Sequence, residues 1–320
     1  MKKNLILGQL TACPGEKISG YMNITNTDMQ VPATLICGSG EGPTVLVTGG
    51  IHNAEYVGIQ AAMELSQELE AAALCGNVII LPLINRSGFE HRTMSTVYED
   101  GKNINREFPG NPDGTLTERI CHTMVKKLFS LADYYVDLHC GDGYEELYPH
   151  VYTLGAAKPE VNEASEAMAK VVNVAYSYAT KNPSGGAYNE AGSMGIPGIL
   201  IERGCRSLWS RGEVEEDKED VSNVLRLLKV LPEPVKRQAN VPEKIAAGHF
   251  LNAGHTGLWY PACRPGDRFS KGSLLGMIRD YLGNLLEECY AENDGVLLYQ
   301  TVSLNIMKGT PMVAYGDLGE

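Results

Sequence analysis

Gly49-Gly50-Ile51-His52-Asn53-Ala54-Glu55-Tyr56 joins two unlike textures. Before it, Thr44-Val45-Leu46-Val47-Thr48 is β-branched and uncharged, as in a buried strand, and two glycines close it. After it, Ala61, Ala62, Leu65 and Leu69 recur at helical spacing, which predicts a helix to Leu74 with Cys75-Gly76-Asn77 as its stop. His52 then lies in a strand-to-helix turn and Glu55 at the helix start. At this spacing an imidazole and a carboxylate can converge on one cation, so the pair is half of a metal site. A Glu in a first helical turn is also favoured by the helix dipole alone, and a His in a glycine turn can simply be exposed. The pair needs support from elsewhere in the chain.

That support recurs at strand ends. Val78-Ile79-Ile80-Leu81-Pro82-Leu83-Ile84 reads as a second buried strand, and strand, helix, strand at this spacing is a parallel βαβ unit. Asp133-Tyr134-Tyr135-Val136-Asp137-Leu138-His139 is a third strand with an imidazole at its C-terminal end. In open α/β sheets these ends line the ligand crevice, which makes His139 a third ligand for the His52–Glu55 pair. Gly198-Ile199-Leu200-Ile201-Glu202 ends on a carboxylate where an apolar strand has no structural need of one.

Between the second and third strands, Ser87 to Pro112 lacks periodicity and reads as a long loop, a type that tends to be functional. It contains Arg92, Asn103, Asn105 and Arg106. Thr115-Leu116-Thr117-Glu118 ends it as the capping box of a helix expected to reach about Leu131.

Composition limits the function. The chain has 320 residues, 43% of them hydrophobic and 21% charged, enough for one large core and a smaller second unit. A net charge of −12 argues against nucleic acid or an anionic membrane as the main partner. No run approaches the ~18 apolar residues of a transmembrane helix. The eight cysteines have no regular spacing and read as reduced thiols, so the expected location is the cytoplasm. Cys140 and Cys205 flank site residues but have no dedicated base, and read as packing.

Pro159 to Val172 and Gly212 to Val230 read as surface helices. Leu231-Pro232-Glu233-Pro234 through Pro242 is a proline-bearing connector. The expected division is therefore a catalytic domain over 1–240 and a β-domain over 241–320. Within the latter, the segments Phe269 to Leu275 and Ile306 to Met312 look like copies of one hairpin 37 residues apart, which predicts a small quasi-symmetric barrel or sandwich.

Two His and one Glu leave a position open on zinc, the mark of a catalytic rather than a structural site. A metal-bound water near neutral pKa, a Glu to take its proton and an arginine for the oxyanion together describe amide hydrolysis.

His52-Asn53-Ala54-Glu55, Asp100 to Gly110, Asp137-Leu138-His139 and Gly198 to Gly204 together resemble the succinylglutamate desuccinylase/aspartoacylase family, over roughly residues 14–320. The resemblance implies a zinc carboxypeptidase-like α/β fold, a mixed sheet flanked by helices, and a C-terminal all-β domain similar to lipoyl and biotinyl carriers. It implies one Zn2+ per chain on His52, Glu55 and His139, with Glu202 as general base and Asn105 and Arg106 gripping a substrate carboxylate. Arg92 is the nearest match for the arginine that polarises the scissile carbonyl, while Tyr144, Tyr148 and Tyr188 are all open as substrate contacts. Asn103 stands where many relatives have Asp, and its amide oxygen can still accept an imidazole N–H.

Met307-Lys308-Gly309 has one of the two methionines that flank a biotinylated lysine, so the β-domain is expected to be a wall of the site or a homo-oligomer surface rather than a carrier. The expected activity is zinc-dependent hydrolysis of a linear amide in a small N-acyl amino acid. The alternatives are a metallocarboxypeptidase acting on peptides and a non-catalytic zinc or carboxylate binder.

Overall fold

In the computed structural model, which describes residues 2–319, the apolar run 44–48 lies within the strand Gly40–Gly49, in the middle of a nine-stranded mixed sheet. From one edge to the other the strands are Glu243–Ile245, Tyr176–Thr180, His150–Leu154, Gly198–Glu202, Tyr134–His139, Gly40–Gly49, Cys75–Leu81, Gln30–Cys37 and Glu16–Asn23. The centre, from Gly198–Glu202 to Cys75–Leu81, is parallel, and antiparallel pairs flank it. Val45 and Val47 face one apolar layer and Leu46 the other, which explains the uninterrupted hydrophobic run. The helices Tyr56–Glu68 and Arg211–Leu227 cover the first layer. Thr115 N donates to Glu118 Oε2 at 2.7 Å, and Leu116–Thr123 packs on the second layer.

Two expectations need correction. The first helix stops at Glu68 rather than Leu74, because Leu69 turns extended, and Cys75-Gly76-Asn77 opens the next strand instead of ending a helix. The long Gly40–Gly49 strand needs those residues as partners: Cys75 lies beside Gly40, and Asn77 Nδ2 donates to Thr44 Oγ1 at 3.0 Å. The supposed loop after Ser87 also contains a helix, Arg86–His91, capped by Asn85 through its side-chain oxygen and Gly88 N at 2.9 Å. Six residues are too few to show a helical period.

The C-terminal part is all-β, and its internal repeat is visible. One sheet runs Ala247–Asn252, Pro311–Asp317, Gly295–Thr301, Arg268–Phe269; the other runs Leu285–Tyr290, Leu274–Arg279, Gly257–Pro261, Asn305–Ile306, matching it strand for strand. Gly272 and Gly309, at φ +83° and +86°, turn the two equivalent hairpins. Trp259, Leu275, Ile278, Leu297 and Tyr315 fill the space between the sheets. Two pairings tie this unit to the rest. Glu145–Leu147 adds to the strand Gly295–Thr301, and Tyr176, Tyr178 and Ile245 of the large sheet pack on Val296 and Leu298.

Candidate active site

The connections of the large sheet reverse at its centre. From Gly40–Gly49 the chain passes to Cys75–Leu81 on one side and later returns as Tyr134–His139 on the other. Such a switch opens a crevice beyond the strand C-termini. His52 follows the first of these strands, His139 ends the third, and Leu138 is the register partner of Gly49. Glu55 occupies the N-cap of the Tyr56–Glu68 helix but makes no side-chain capping bond. Its Oε1 lies 2.7 Å from His52 Nδ1 and its Oε2 2.8 Å from His139 Nδ1. Its oxygens thus face the two imidazoles rather than the free N–H groups of the helix.

The other nitrogen of each imidazole is also placed. His52 Nε2 is 3.1 Å from Asn103 Oδ1, the amide oxygen anticipated for that role. His139 Nε2 is 3.1 Å from Asp137 Oδ2, and Asp137 Oδ1 accepts from Thr48 Oγ1 at 2.7 Å. Asp137 is wholly buried and lies two residues before His139, hence on the same sheet face. Asn103 Oδ1 thus faces His52 Nε2 and the Asp137 carboxylate faces His139 Nε2, which directs each Nδ1 towards Glu55 and a shared cation. The turn itself is held by Asn85 Nδ2 donating to Asn53 Oδ1 at 2.9 Å and by Ala54 N donating to Met94 O at 2.9 Å.

One ligand atom from each of His52, Glu55 and His139 lies within 4.8 Å of the others, and two neutral imidazoles with one carboxylate suit a divalent metal. In the metal-free arrangement burial pushes the Glu55 carboxyl up, but the two imidazoles outweigh it and hold it at about 2. Burial opposes the charge on His139, yet Glu55 and Asp137 raise its pKa well above the usual imidazole value. Glu202 is the register partner of His139 on the adjacent parallel strand, so both side chains share one face. Burial raises its carboxyl well above the ordinary range; His139 opposes the shift, and Glu55, Glu145 and Asp137 reinforce it. Neither neighbouring arginine neutralises Glu202. Arg203 is buried against Asp217, Asp220 and Glu216, and Arg206 pairs with Glu146.

Asn105 is buried, its Oδ1 accepting from Ala187 N at 2.9 Å and its Nδ2 lying 3.5 Å from His139 Nε2. Arg106 is exposed; its Nη1 donates to Asn105 O at 2.8 Å, and it makes no ion pair among the described residues. Arg92 is not drawn into this cluster. It sits exposed at the left-handed C-cap of the Arg86–His91 helix, with no side-chain partner among the described residues. Of the tyrosines left open, Tyr144 and Tyr148 are exposed, while Tyr188 is buried.

The family model for the succinylglutamate desuccinylase/aspartoacylase catalytic domain matches residues 41–228. The chain belongs to this family. Among desuccinylase/aspartoacylase relatives, the N-alpha-acetyl-L-2,4-diaminobutyric acid deacetylase of Halomonas elongata is 27% identical over 313 residues, covering 91% of this chain and 87% of that protein. The product-bound structure of the ectoine utilization protein EutE (DoeB) from Ruegeria pomeroyi superposes with a TM-score of 0.87 at 27% identity, covering 98% of this chain and 99% of that one. A family member from Rhodobacter sphaeroides shares the fold at a TM-score of 0.83 and 23% identity, over 94% and 95% of the two chains.

Three residues beside the site escaped the sequence reading. Asp137 was within reach, because an Asp two positions before a strand-end His is on the face that can orient it. Tyr152 and Tyr299 were not: burial raises both phenols and the charges of Glu202 and Glu145 add to the shift, but one comes from an edge-ward strand and the other from the β-unit, and nothing local marks either.

Proposed function

We propose that this protein is a zinc-dependent deacylase that cleaves the amide bond of a small N-acyl amino acid to a carboxylate and an amine. The observation that carries the reading is the pairing of a three-donor set, both imidazoles oriented from behind, with an unneutralised carboxylate, Glu202, on the adjacent strand. Zinc bound by His52, Glu55 and His139 would supply Lewis acidity to the scissile carbonyl and a water of near-neutral pKa. Glu202 then takes the proton of the attacking water and returns it to the leaving nitrogen. Burial raises its carboxyl, which makes it a stronger base than an exposed carboxylate.

Asn105 and Arg106 hold the free carboxylate of the substrate, Arg106 through the bidentate fork that lysine lacks. Arg92 reaches the oxyanion only if its exposed loop closes over the substrate. The names of the relatives support an acylated amino acid over a peptide. The Halomonas protein is named for removing acetyl from a diamino acid.

The test is a screen of N-acyl amino acids and their C-terminal amides with metal-loaded protein, before and after chelation. The expected result is chelator-sensitive hydrolysis of the acids. Arg106→Lys should cost nearly as much as Arg106→Ala, roughly 30- to several-thousand-fold in kcat/KM. Equal cleavage of acid and amide by the wild type contradicts the carboxylate clamp, and peptide trimming without deacylation contradicts the reading as a whole.

A further inference from the structure

We infer that Thr48 and Tyr135 are positioning residues of the metal centre: a buried chain of hydrogen bonds, from Tyr135 to Thr48 to Asp137, holds the Asp137 carboxylate against His139 and so sets how tightly the cation is bound. The inference rests on the metal site of the deacylase reading and adds two residues that lie behind the ligands. All four side chains stand on one face of two neighbouring strands. Tyr135, Asp137 and His139 occupy alternate positions of Tyr134–His139, and Thr48 is the register partner of Asp137 on Gly40–Gly49. Thr48, Tyr135 and Asp137 have no exposed surface, and His139 is only 1% exposed.

The donors fix the direction of the chain. Thr48 Oγ1 donates its one hydrogen to Asp137 Oδ1 at 2.7 Å. At the 2.6 Å contact between Thr48 Oγ1 and the Tyr135 hydroxyl it is therefore the phenol that donates. Burial, then the Asp137 charge, push the Tyr135 phenol up, which keeps it a donor. Asp137 Oδ1 is thereby occupied, and Oδ2, which has no hydrogen-bond partner among the described residues, lies 3.1 Å from His139 Nε2.

The row in which Asp137 sits offers no substitute for Thr48. Across the parallel strands at this level the residues are Leu200, Asp137, Thr48 and Leu81, and both leucines belong to the apolar layer on this face. Strands covered on both faces are normally apolar throughout, and a buried carboxylate needs partners for its oxygens. Thr48 is the one hydroxyl hydrogen-bonded to this carboxylate among the described residues. Were the chain there only to satisfy polar groups, apolar residues at all three positions would serve as well, since the layer accepts leucine on either side. Its end on a ligand imidazole gives the polar set a use. Without the Thr48 hydroxyl, Asp137 Oδ1 and the phenol both lose their partner inside the core, and the carboxylate is free to turn from His139.

The experiment measures zinc affinity by chelator competition, with the Tm of the metal-free protein alongside, for full-length wild type and variants. Thr48→Val keeps the shape, removes the hydroxyl and should weaken zinc binding about 10- to 100-fold. Thr48→Ser keeps the hydroxyl but removes a buried methyl, so it should lower Tm yet bind zinc within about threefold of wild type. Tyr135→Phe removes only the outermost donor and should weaken binding roughly two- to tenfold. Added to Asp137→Asn, Thr48→Val should cost little more, because both act through one carboxylate. A purely structural role gives the opposite pattern, with affinity following Tm and effects that add. Wild-type affinity in Thr48→Val, equal weakening by Val and Ser, or full additivity with Asp137→Asn overturns the inference. If Thr48→Val does not fold, Tyr135→Phe decides, and wild-type affinity in that variant overturns it. A wild type that binds no zinc overturns the metal site as well. A wild type that binds zinc but cleaves no N-acyl amino acid overturns the deacylase reading and leaves the positioning role standing.

Discussion

Asp137 illustrates what a single residue decides here. With its carboxylate 3.1 Å from His139 Nε2, it selects the tautomer that turns Nδ1 towards the cation. Asp137→Asn should keep the fold and weaken metal binding about 10- to 100-fold in a chelator competition. An affinity equal to wild type would remove Asp137 from this role. The same pair sets the direction of pH dependence. In the metal-free protein the His139 pKa is raised, so below that pKa the ring holds a proton that metal must displace. Apparent metal affinity should therefore rise with pH, by up to about tenfold per unit while one proton is released. Competition titrations at acid and neutral pH check this, and an affinity that falls with rising pH contradicts it. At this scale the sequence was most legible where chemistry is tied to strand ends: His52, His139 and Glu202 stand where an apolar run stops. Arg92 was least legible, because a loop position gives no direction to a long side chain.

The element that positions Glu55 is the helix Tyr56–Glu68, and Gly58 lets it approach the sheet. A Cβ at Gly58 would lie 2.7 Å from both Cβ and O of Leu138, the residue before His139. Gly58→Ala should therefore force helix and strand apart, costing about 1–3 kcal/mol, with a lower Tm and weakened metal binding together. An unchanged Tm would show that the contact has slack. Segments with a clear texture, such as the apolar run 44–48 within the strand Gly40–Gly49 and the periodic helix Arg211–Leu227, could be read from the sequence. The errors lay in the short ones. Arg86–His91 spans less than two turns, and the Cys75–Leu81 strand starts at a glycine-bearing stretch that local chemistry assigns to a turn. Pairing with Gly40–Gly49 overrides that local preference, and pairing is not local information.

Across the whole molecule, the repeat within the C-terminal sheets was legible because its two hairpins carry the same Lys-Gly turn, at Lys271-Gly272 and Lys308-Gly309. Its attachment to the rest was not, since Glu145–Leu147 and Glu243–Ile245 are three-residue strands paired far along the chain. We propose that the two parts act as separate domains, with the site residues His52, Glu55, His139 and Glu202 all in the first. A chain ending at residue 246 should keep the nine-stranded sheet and bind metal, but lose most hydrolysis because Tyr299 and the strand beside Glu145 are gone. Loss of the fold on truncation would show that Tyr176, Tyr178 and Ile245 depend on Val296 and Leu298. The most direct test of the central claim is to measure metal content and kcat together in wild type and Glu202→Gln. The account predicts about one zinc per chain in both proteins and a kcat about 10²–10⁴-fold lower in the variant. Near-normal turnover by Glu202→Gln, or wild-type hydrolysis that survives complete removal of metal, would contradict it.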